Sequence, residues 1–388
     1  MSRYHSYLNS AKEILLSYKA DEPFASFIKK YFSGQKKFGS KDRRQINNLC
    51  YSYFRLGKPA IQLPPEQQIL TGLFLCSIAG NEVLNNLKPE WNERIKLTIE
   101  QKLSYLQLND LAANLFPCPD QLSDGIKKEK FILSHLQQPD FFLRVRPGKE
   151  ETVKQKLETA GINFSFTSGN CLVLPSASKI DSVVDLNKEA VIQDYSSQQT
   201  GELLKLVKRR PSDKVWDCCA GSGGKSIMLY DLNPKTELTV SDIRETILIN
   251  LKKRFKEAGI EKYKSFSADI SSPNFKSPDS GFGLILCDVP CSGSGTWGRT
   301  PEQLVFFNER KIDEYASLQK RIIANVIPHL QKGGYFLYIT CSVYKKENEF
   351  IAEYIKESSG IELLKMETLE GYALKADTMF AALFQKPL

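Results

Sequence analysis

The sequence is poor in the residues that bind metal ions in proteins. Only three histidines occur among its 388 residues, and no two cysteines form a Cys-x-x-Cys pair. Structural zinc sites use four histidine or cysteine ligands at short spacings, so we predict no metal site. The nine cysteines show no regular spacing, which disfavours a disulfide framework in a chain of this length.

Long apolar segments are also missing. The longest, residues 69–80, is shorter than the roughly 20 apolar residues that a membrane-spanning helix needs. The first 20 residues lack the uninterrupted apolar stretch of a signal peptide. With 41% hydrophobic and 25% charged residues, the chain has the composition of a soluble globular protein. We therefore expect a cytoplasmic protein without membrane contact, with roughly two or three domains.

Positive charge is concentrated in one stretch near the N terminus. The net charge is +8, and nine basic residues stand within residues 29–58, where Asp42 is the only acid. Interleaved with aromatics, such a stretch suits a nucleic-acid backbone, although a solvated helix face above core aromatics would give the same pattern. The stretch contains Lys29, Lys30, Lys36 and Lys58, and, as predicted nucleic-acid ligands, Lys37, Lys41, Arg43, Arg44 and Arg55.

The periodicity of apolar residues divides the chain into three segments. Residues 1–137 are predicted to be helical, because apolar residues recur at three- and four-residue spacing. A small α+β module follows at 138–190, with strands at 141–146 and from residue 171 around a helix at 150–160. From residue 191 to 388 strands and helices alternate, which is typical of a parallel α/β sheet. Its predicted strands are 215–218, 238–241, 284–287 and 335–339, and its predicted helices are 244–258 and 312–327.

The first strand of this sheet leads into a glycine-rich turn at residues 219–225. Asp242 stands at the end of the next strand, 21 residues beyond Gly221, while Asp269 and Asp288 follow later strands. A single strand-end aspartate is often only a helix cap. Three of them after a turn that lets a ligand approach the backbone predict a nucleoside-containing ligand, with ribose hydroxyls bound by the acids.

Two other ligands fit the glycine-rich turn less well. Gly224-Lys225-Ser226 matches the end of a phosphate-binding P-loop, but Cys219 stands where that loop needs its first glycine. A dinucleotide-binding fingerprint requires glycine or alanine where Ser226 stands. S-adenosylmethionine has no phosphates and needs only the turn and the acidic contacts, so we predict this cofactor.

Two cysteines follow strands of the same sheet, at the edge where the cofactor is expected. Cys291 lies in Asp288-Val289-Pro290-Cys291, and Cys341 lies in Thr340-Cys341-Ser342. A thiolate that adds to carbon 6 of cytosine makes carbon 5 able to attack a methyl group, and Asp288 is placed to assist at nitrogen 3. An amino-group methyltransferase would instead carry Pro-Pro and an aromatic after the acid. The spacing leaves open which cysteine attacks.

The segment from about residue 138 to the C terminus resembles the Sun/Fmu (RsmB-like) RNA cytosine-5 methyltransferases. The resemblance covers roughly 250 residues, and the paired cysteine motifs are its most specific part. The matching elements are residues 142–145, 193–194, 219–225, Asp242, 288–295, 340–342, 347–349 and 377–380.

The resemblance implies a role for each matching residue. Cys341 resembles the nucleophile, and Cys291 resembles the cysteine that helps to release the methylated RNA. DNA cytosine methyltransferases attack with the cysteine of their Pro-Cys motif instead, and only the match of residues 340–342 favours Cys341. Lys225 and Asp288 are implied to lie near the target base as well. The implied cofactor contacts are Cys219, Ala220, Gly221, Ser222, Gly223, Gly224, Lys225, Asp242, Asp269 and Asp288.

The chain departs from the family pattern at two places. The family has Ala-Pro where Gly221-Ser222 stands, a change that the turn should tolerate. It has Arg-Arg-x-Pro where residues 298–301 read Gly-Arg-Thr-Pro, so Arg299 alone is left as a predicted RNA contact. Residues 1–137 resemble the helical NusB-like extension of the ribosomal members only through residues 41–58.

We therefore predict a Rossmann-like class I methyltransferase domain at 191–388, with a mixed, mostly parallel, doubly wound sheet. The α+β module at 138–190 and an all-helical, NusB-like, RNA-binding domain at 1–137 precede it. The predicted function is S-adenosylmethionine-dependent RNA (cytosine-5) methylation of small-subunit (16S) ribosomal RNA by a monomer. A transfer-RNA methyltransferase and a catalytically silent RNA-binding assembly factor are the alternatives.

Overall fold

The computed structural model describes residues 2–35, 37–58, 63–167, 169–176, 178–208 and 213–388. Lys36 of the predicted basic stretch lies outside these residues. Contacts divide the chain into two compact units. The helical unit comprises Met1–Asp120, Lys127–Gln138 and Thr296–Glu309, and the α/β unit comprises Gln121–Ile126, Pro139–Gly295 and Arg310–Leu388. The three-domain division expected from the sequence stays a prediction.

The helical unit is built from short amphipathic helices. In α3, Ile46, Leu49, Cys50 and Phe54 are buried, and their spacing puts them on one face of the helix. The helices are α1 (Arg3–Ser17), α2 (Phe24–Ser33), α3 (Ser40–Phe54), α4 (Pro65–Cys76), α5 (Glu82–Leu87), α6 (Pro89–Glu93), α7 (Ile99–Tyr105), α8 (Leu111–Asn114), α9 (Lys128–Ser134) and, later in the chain, α14 (Glu302–Phe306).

The segment around α14 belongs to this helical unit although it follows the Cys291 motif in sequence. Trp297 is 1% exposed and packs against Phe116 and Phe307, with ring centroids 5.2 Å and 4.6 Å away. A carboxylate oxygen of Glu302 accepts a 3.2 Å hydrogen bond from the Phe24 amide at the start of α2. The segment is thus tied to the N-terminal helices by both apolar and polar contacts.

A small antiparallel sheet begins the main part of the α/β unit. Its strands are β1 (Phe141–Val145), β2 (Ser165–Phe166), β3 (Cys171–Leu174) and β4 (Ala190–Ile192), in the order β2-β3-β1-β4, with α10 (Glu150–Thr159) packed on it. Leu143 and Val145 of β1 share a core with Val153 and Leu157 of α10. The strand predicted at 141–146 and the helix predicted at 150–160 are confirmed to within one residue.

A seven-stranded sheet forms the centre of the α/β unit. Its order is β10-β11-β9-β8-β5-β6-β7. Strands β5 to β9 pair in parallel, and β11 runs antiparallel to both of its neighbours, β9 and β10. All four predicted strands and both predicted helices are present. The elements are α11 (Tyr195–Leu204), β5 (Lys214–Asp217), α12 (Gly224–Leu232), β6 (Glu237–Asp242), α13 (Glu245–Glu257), β7 (Tyr263–Ser267), β8 (Phe282–Asp288), α15 (Arg310–Val326), β9 (Leu330–Thr340), α16 (Glu349–Ser359), β10 (Glu362–Leu369) and β11 (Met379–Gln385).

Both faces of this sheet are covered. In β8, Leu284 and Leu286 belong to one buried cluster, whereas Ile285 and Cys287 belong to the other. Successive side chains of a strand point to opposite faces, so a continuous apolar run such as residues 282–287 fits a strand buried on both sides. The mixed, mostly parallel, doubly wound sheet is therefore confirmed. Among the described residues, no helix is long and apolar enough to cross a membrane.

Candidate active site

The order of the strands creates a crevice at one edge of the seven-stranded sheet. From β5 the chain proceeds to β6 and β7 on one side, whereas β8 and β9 lie on the other side of β5. Ligands of such sheets bind at the carboxyl ends of the strands, where the order reverses. Because β5 to β9 are parallel, the residues that follow each of them meet at this edge.

The turn between β5 and α12 depends on glycine. Gly221 and Gly223 have φ angles of +51° and +82°, a region that side chains rarely adopt. A Cβ atom at Gly223 would also stand 2.7 Å from the Phe255 ring and 3.0 Å from Leu251 of α13. At Gly221 a Cβ atom would meet open space. The turn therefore packs closely on α13 on one side and leaves its backbone accessible on the other.

Asp242 is joined directly to this turn. Its side chain is buried at the end of β6, and its oxygens accept hydrogen bonds from the Gly221 amide at 3.0 Å and the Arg244 amide at 2.9 Å. Asp269, which follows β7, is exposed and accepts hydrogen bonds from the amide and hydroxyl of Ser271 at 2.9 and 2.7 Å. The structure thus brings Asp242 against the turn and leaves Asp269 at its periphery, in a helix-cap-like arrangement.

These residues fit S-adenosylmethionine. An accessible glycine backbone and carboxylates at consecutive strand ends supply acceptors for ribose hydroxyls. Among the described residues, no cluster of three or more histidine, cysteine or acidic side chains could hold a metal ion.

Lys225 and Asp288 form an ion pair at the crevice. The Lys225 Nζ atom, in the first turn of α12, lies 2.7 Å from a carboxylate oxygen of Asp288 at the end of β8. Burial lowers the pKa of Lys225, but the charge and hydrogen bond of Asp288 outweigh it, so that the pKa is raised overall. The Cys341 sulfur is near enough to act in the same direction. Lys225 therefore remains a cation beside the two cysteine segments.

The structure brings Cys291 and Cys341 together. Their sulfur atoms are 3.2 Å apart, and both side chains are part-buried. The hydrogen bond with Cys341, together with burial, raises the pKa of Cys291 well above its usual value. The Cys291 thiol therefore holds its proton more tightly than an ordinary cysteine does. All nine cysteines are free thiols.

The two cysteine segments hold each other in place at Gly295. The Gly295 amide donates to the Cys341 carbonyl oxygen at 2.8 Å, and the Gly295 carbonyl oxygen accepts from the Thr378 amide at 2.9 Å. A Cβ atom at residue 295 would overlap the Thr378 carbonyl oxygen. Glycine is required there because three backbone segments cross at this point.

The Glu347 side chain connects the Cys291 segment to the Cys341 segment, a role that was not predicted from the sequence. One carboxylate oxygen accepts from the Ser292 amide at 2.7 Å, and the other accepts from the Ser342 hydroxyl at 2.7 Å. Burial raises the pKa of Glu347. The Gln319 side chain donates to Glu347 at 3.3 Å and to the Pro290 carbonyl oxygen at 3.0 Å. A sequence feature that could have indicated this buried polar cluster is Gln319, a glutamine on the apolar face of the amphipathic helix α15.

Most of the predicted nucleic-acid ligands are accessible. Lys37, Lys41 and Arg44 are exposed in the helical unit, with Lys41 3.3 Å from a Glu82 carboxylate oxygen. Arg43 is part-buried, and its Nε atom donates to the Phe38 carbonyl oxygen at 3.0 Å. Arg299 is part-buried in the segment that precedes α14. These residues remain predicted RNA contacts.

The structure contradicts the prediction for Arg55. This residue is 2% exposed, and its guanidinium donates to the carbonyl oxygens of His135, Gln137 and Gly298 and to the side chain of Gln138, at 2.7 to 3.2 Å. With its donors directed at these internal acceptors, Arg55 joins α3 to two later segments of the helical unit. It cannot contact a phosphate in this arrangement.

Comparison with known proteins assigns the chain to a family. Residues 204–385 match the family described as 16S rRNA methyltransferase RsmB/F. The chain is 31% identical over 245 residues to ribosomal RNA small subunit methyltransferase B of Enterobacter sp. (strain 638). That match covers 61% of this chain and 56% of the relative, so the chain spans little more than half of that relative's length.

A second relative matches over most of both chains. The protein of the same name from Yersinia enterocolitica (serotype O:8 / biotype 1B) is 30% identical, with 86% of this chain and 87% of the relative covered. The crystal structure of PH0851 has a TM-score of 0.71 at 19% identity, covering 100% of this chain and 99% of the other, so the two proteins share a fold. The chain therefore belongs to the RsmB/F family of 16S rRNA methyltransferases.

Proposed function

We propose that this protein is an S-adenosylmethionine-dependent RNA (cytosine-5)-methyltransferase that acts on small-subunit ribosomal RNA. The observation that carries the proposal is the pair of thiols 3.2 Å apart at the sheet edge, beside the Lys225–Asp288 ion pair. Packing alone gives no reason for two part-buried thiols beside an ion pair at this end of the sheet. Membership of the RsmB/F family supports both the reaction and the substrate.

S-adenosylmethionine supplies an electrophilic methyl group when it is bound. We assign its binding to the turn of residues 219–225, with Asp242 as the ribose acceptor and Asp269 as a peripheral contact. Gly221 leaves the backbone accessible, while Gly223 allows the turn to pack on α13. Lys225, the last residue of this turn, pairs with Asp288 and lies close to Cys341.

We assign the nucleophilic role to Cys341. Its thiolate adds to carbon 6 of the cytosine, which makes carbon 5 enamine-like and able to accept a methyl group. The Lys225 ammonium, paired with Asp288, places a positive charge near the Cys341 sulfur. The Lys225–Asp288 pair balances the charge that develops at ring nitrogen 3. The cytosine must leave its helix, or come from a loop, to reach Cys341.

We assign the release step to Cys291. After methyl transfer a base removes the carbon 5 proton, its electron pair forms the C5–C6 double bond, and the bond from carbon 6 to Cys341 breaks. Because the pKa of Cys291 is raised, this thiol is protonated and can donate its proton to the departing Cys341 sulfur. A single sulfur could not be both the leaving group and its own acid.

Substitution of each cysteine separates these roles. Cys341→Ala should abolish both methyl transfer and covalent capture of RNA. Cys291→Ala should retain addition but fail in release, so that a protein–RNA adduct accumulates as a shifted band on a denaturing gel. Cys118→Ala removes a part-exposed cysteine elsewhere in the chain and should behave like the wild type. An adduct that requires Cys291 and forms without Cys341 would reverse the two assignments.

Bisulfite sequencing of total RNA from a strain that lacks the gene tests the substrate. Loss of methylation at one small-subunit rRNA cytosine is the expected result. Loss of a transfer-RNA mark would replace the proposed substrate, and an unchanged methylation pattern would leave an RNA-binding assembly factor as the function. The proposal further includes a monomer that acts in the cytoplasm, which sedimentation of the purified protein and cell fractionation test.

A further inference from the structure

The cofactor turn contains a serine, Ser222, whose position the two neighbouring glycines cannot hold by themselves. Ser222 stands between Gly221 and Gly223, both of which have positive φ angles. Glycine makes this backbone path possible, but it also makes the free turn more flexible, because glycine loses more conformational freedom on ordering than other residues. Asp242 holds the Gly221 amide, but a turn with two such positions needs a further external contact at Ser222 to hold one conformation.

Arg254 of α13 supplies that contact. Its Nη1 atom donates to the Ser222 carbonyl oxygen at 2.9 Å and to the Ser222 hydroxyl at 2.6 Å. Hydrogen bonds from a charged donor are about twice as strong as neutral ones, and a planar guanidinium imposes direction as well as attraction. A single side chain thus restrains both the main chain and the side chain of the residue at the centre of the turn.

Arg254 is itself held by Asn187, which lies just before β4 of the small sheet. The Arg254 Nε atom donates to the Asn187 side-chain oxygen at 2.9 Å, and the Asn187 side-chain nitrogen donates to Glu257 at 2.8 Å. Asn187 is 8% exposed and has a φ angle of +65°. A buried asparagine in this conformation, with both ends of its amide engaged, orients the guanidinium rather than merely filling space.

The same network continues to the far end of the cofactor-turn helix. Arg146 donates to the Asn187 carbonyl oxygen at 2.9 Å and pairs with Asp231 at 2.7 Å. Arg144 pairs with the second oxygen of Asp231 at 2.6 Å, and all three charged side chains of these pairs are at most 12% exposed. Asp231 lies in the last turn of α12. Residues at the small sheet therefore restrain this helix near both of its ends.

We infer that Arg254 and Asn187 are positioning residues for the cofactor turn, and that the small sheet contributes to S-adenosylmethionine binding through them without touching the cofactor. The inference rests on the proposed function. It gives the small sheet a defined task, which is to keep the turn at residues 219–225 in the conformation that accepts the cofactor.

Equilibrium binding of S-adenosylhomocysteine to the full chain, measured by titration calorimetry, tests the inference. Arg254→Ala should weaken binding by roughly tenfold, the order expected when charge-assisted hydrogen bonds that hold the turn are lost. Arg254→Lys should not restore affinity, since a lysine cannot form the same fork. Asn187→Ala should weaken binding less. Lys252→Ala, an exposed change on the same helix, should leave affinity at the wild-type level.

Two further measurements separate positioning from general stability. In methylation assays the KM for S-adenosylmethionine should rise in Arg254→Ala, whereas kcat at saturating cofactor should change by less than about twofold, because a positioning defect is a binding defect. Amide hydrogen exchange at residues 219–225 should become faster in this variant, while exchange in β8 should not change.

A double-mutant cycle with Ser222→Ala tests the contact between Arg254 and Ser222 itself. Ser222→Ala alters a part-exposed hydroxyl, and in the presence of Arg254→Ala it should have little further effect, since both changes remove one contact. Additive effects, or unchanged binding in Arg254→Ala, would overturn the inference. If the wild-type chain itself binds no S-adenosylhomocysteine, the proposed function fails instead.

Discussion

Asp217 carries a carboxyl group at an unfavourable place for a charge. It ends β5 immediately before the cofactor turn and is 1% exposed. One oxygen accepts a 2.6 Å hydrogen bond from the Ser226 hydroxyl, and the other finds no partner among the described residues. Burial, with a smaller contribution from Asp288, raises the pKa of Asp217 to about 7. The folded protein therefore holds this proton more tightly than the unfolded chain does.

The wild type should become less stable as the pH rises, because Asp217 must ionise in a buried position. We expect Asp217→Asn to lack this decrease in stability. Between about pH 4 and pH 7 the unfolded chain ionises Asp217 while the folded protein does not, so the free energy of unfolding falls with pH. Asparagine keeps the shape and stays neutral. Above pH 7 the variant should be more stable by up to about 4 kcal/mol, and below pH 4 the two should be alike.

Urea unfolding of both proteins at pH 5 and pH 8 measures this difference. The change in unfolding free energy should be larger at pH 8, and Asp181→Asn, at an exposed position, should leave the pH dependence of the wild type intact. A variant with the same pH dependence as the wild type would show that Asp217 ionises normally in the folded protein.

At the scale of elements, the site depends on three segments that cross at Gly295. The segment after β8 carries Cys291, the segment after β9 carries Cys341, and the segment before β11 carries Thr378. Backbone hydrogen bonds at Gly295 join all three. The distance between the two sulfurs is therefore set by the contacts among these segments, together with the bond from the Val289 amide to the Ile339 carbonyl oxygen of β9.

Gly295→Ala should separate the thiols. Its methyl group would overlap the Thr378 carbonyl oxygen and stand 3.0 Å from the Cys341 carbonyl oxygen, so the segments must move apart. A displacement of about 1 Å in a reacting group can cost roughly 100-fold in rate, and we expect a loss of that order in methyl transfer. Methylation of RNA with a labelled methyl donor measures the rate.

The cofactor turn lies on another strand end and should be unaffected by this change. Binding of S-adenosylhomocysteine to Gly295→Ala is therefore expected to match the wild type, and Gly80→Ala, where the added methyl has space, should preserve both activity and binding. Full activity in Gly295→Ala would mean that the crossing segments do not determine the distance between the thiols.

One helix shows how far an element can be predicted from sequence. The buried face of α3 follows from the spacing of Ile46, Leu49 and Phe54. The surroundings of its charged residues cannot be predicted in this way. Lys41 and Arg44 face solvent, whereas Arg55, at the end of the helix, donates to carbonyl groups of segments about 80 and 240 residues later. Local sequence carries no information about such distant acceptors.

At the scale of the whole molecule, positive charge should contribute to RNA affinity through counterion release. Lys41 and Arg44 lie three residues apart on α3 and are exposed. If each neutralises one phosphate, the double variant Lys41→Ala/Arg44→Ala should lower the slope of log affinity against log salt by about 2. Binding of a labelled rRNA fragment at several salt concentrations measures the slope.

A matched control is the removal of an exposed basic residue that lies outside the basic stretch. Lys96→Ala removes an exposed lysine of the same unit that lies outside the basic stretch, and it should alter the slope by much less. Equal slopes in the wild type and in the double variant would mean that α3 does not contact the phosphate backbone, and would leave the basic stretch as a solvated helix face.

Local sequence patterns are enough to predict the doubly wound sheet, the cofactor turn and the strand ends that carry Asp242, Asp288, Cys291 and Cys341. These features arise from local patterns: apolar runs predict buried strands, and in a parallel sheet the residues after successive strands meet at one edge. The attacking thiol was chosen only by the resemblance of residues 340–342, and the geometry is consistent with that choice.

The way in which these parts are held follows from tertiary contacts instead. The pairing of the thiols at 3.2 Å, the buried Glu347 beneath them, the Arg254–Ser222 contact and the internal role of Arg55 all join residues far apart in sequence. A buried polar side chain is stable only when its partners meet it. Those partners are defined by the packing of the whole chain, and no local pattern specifies them.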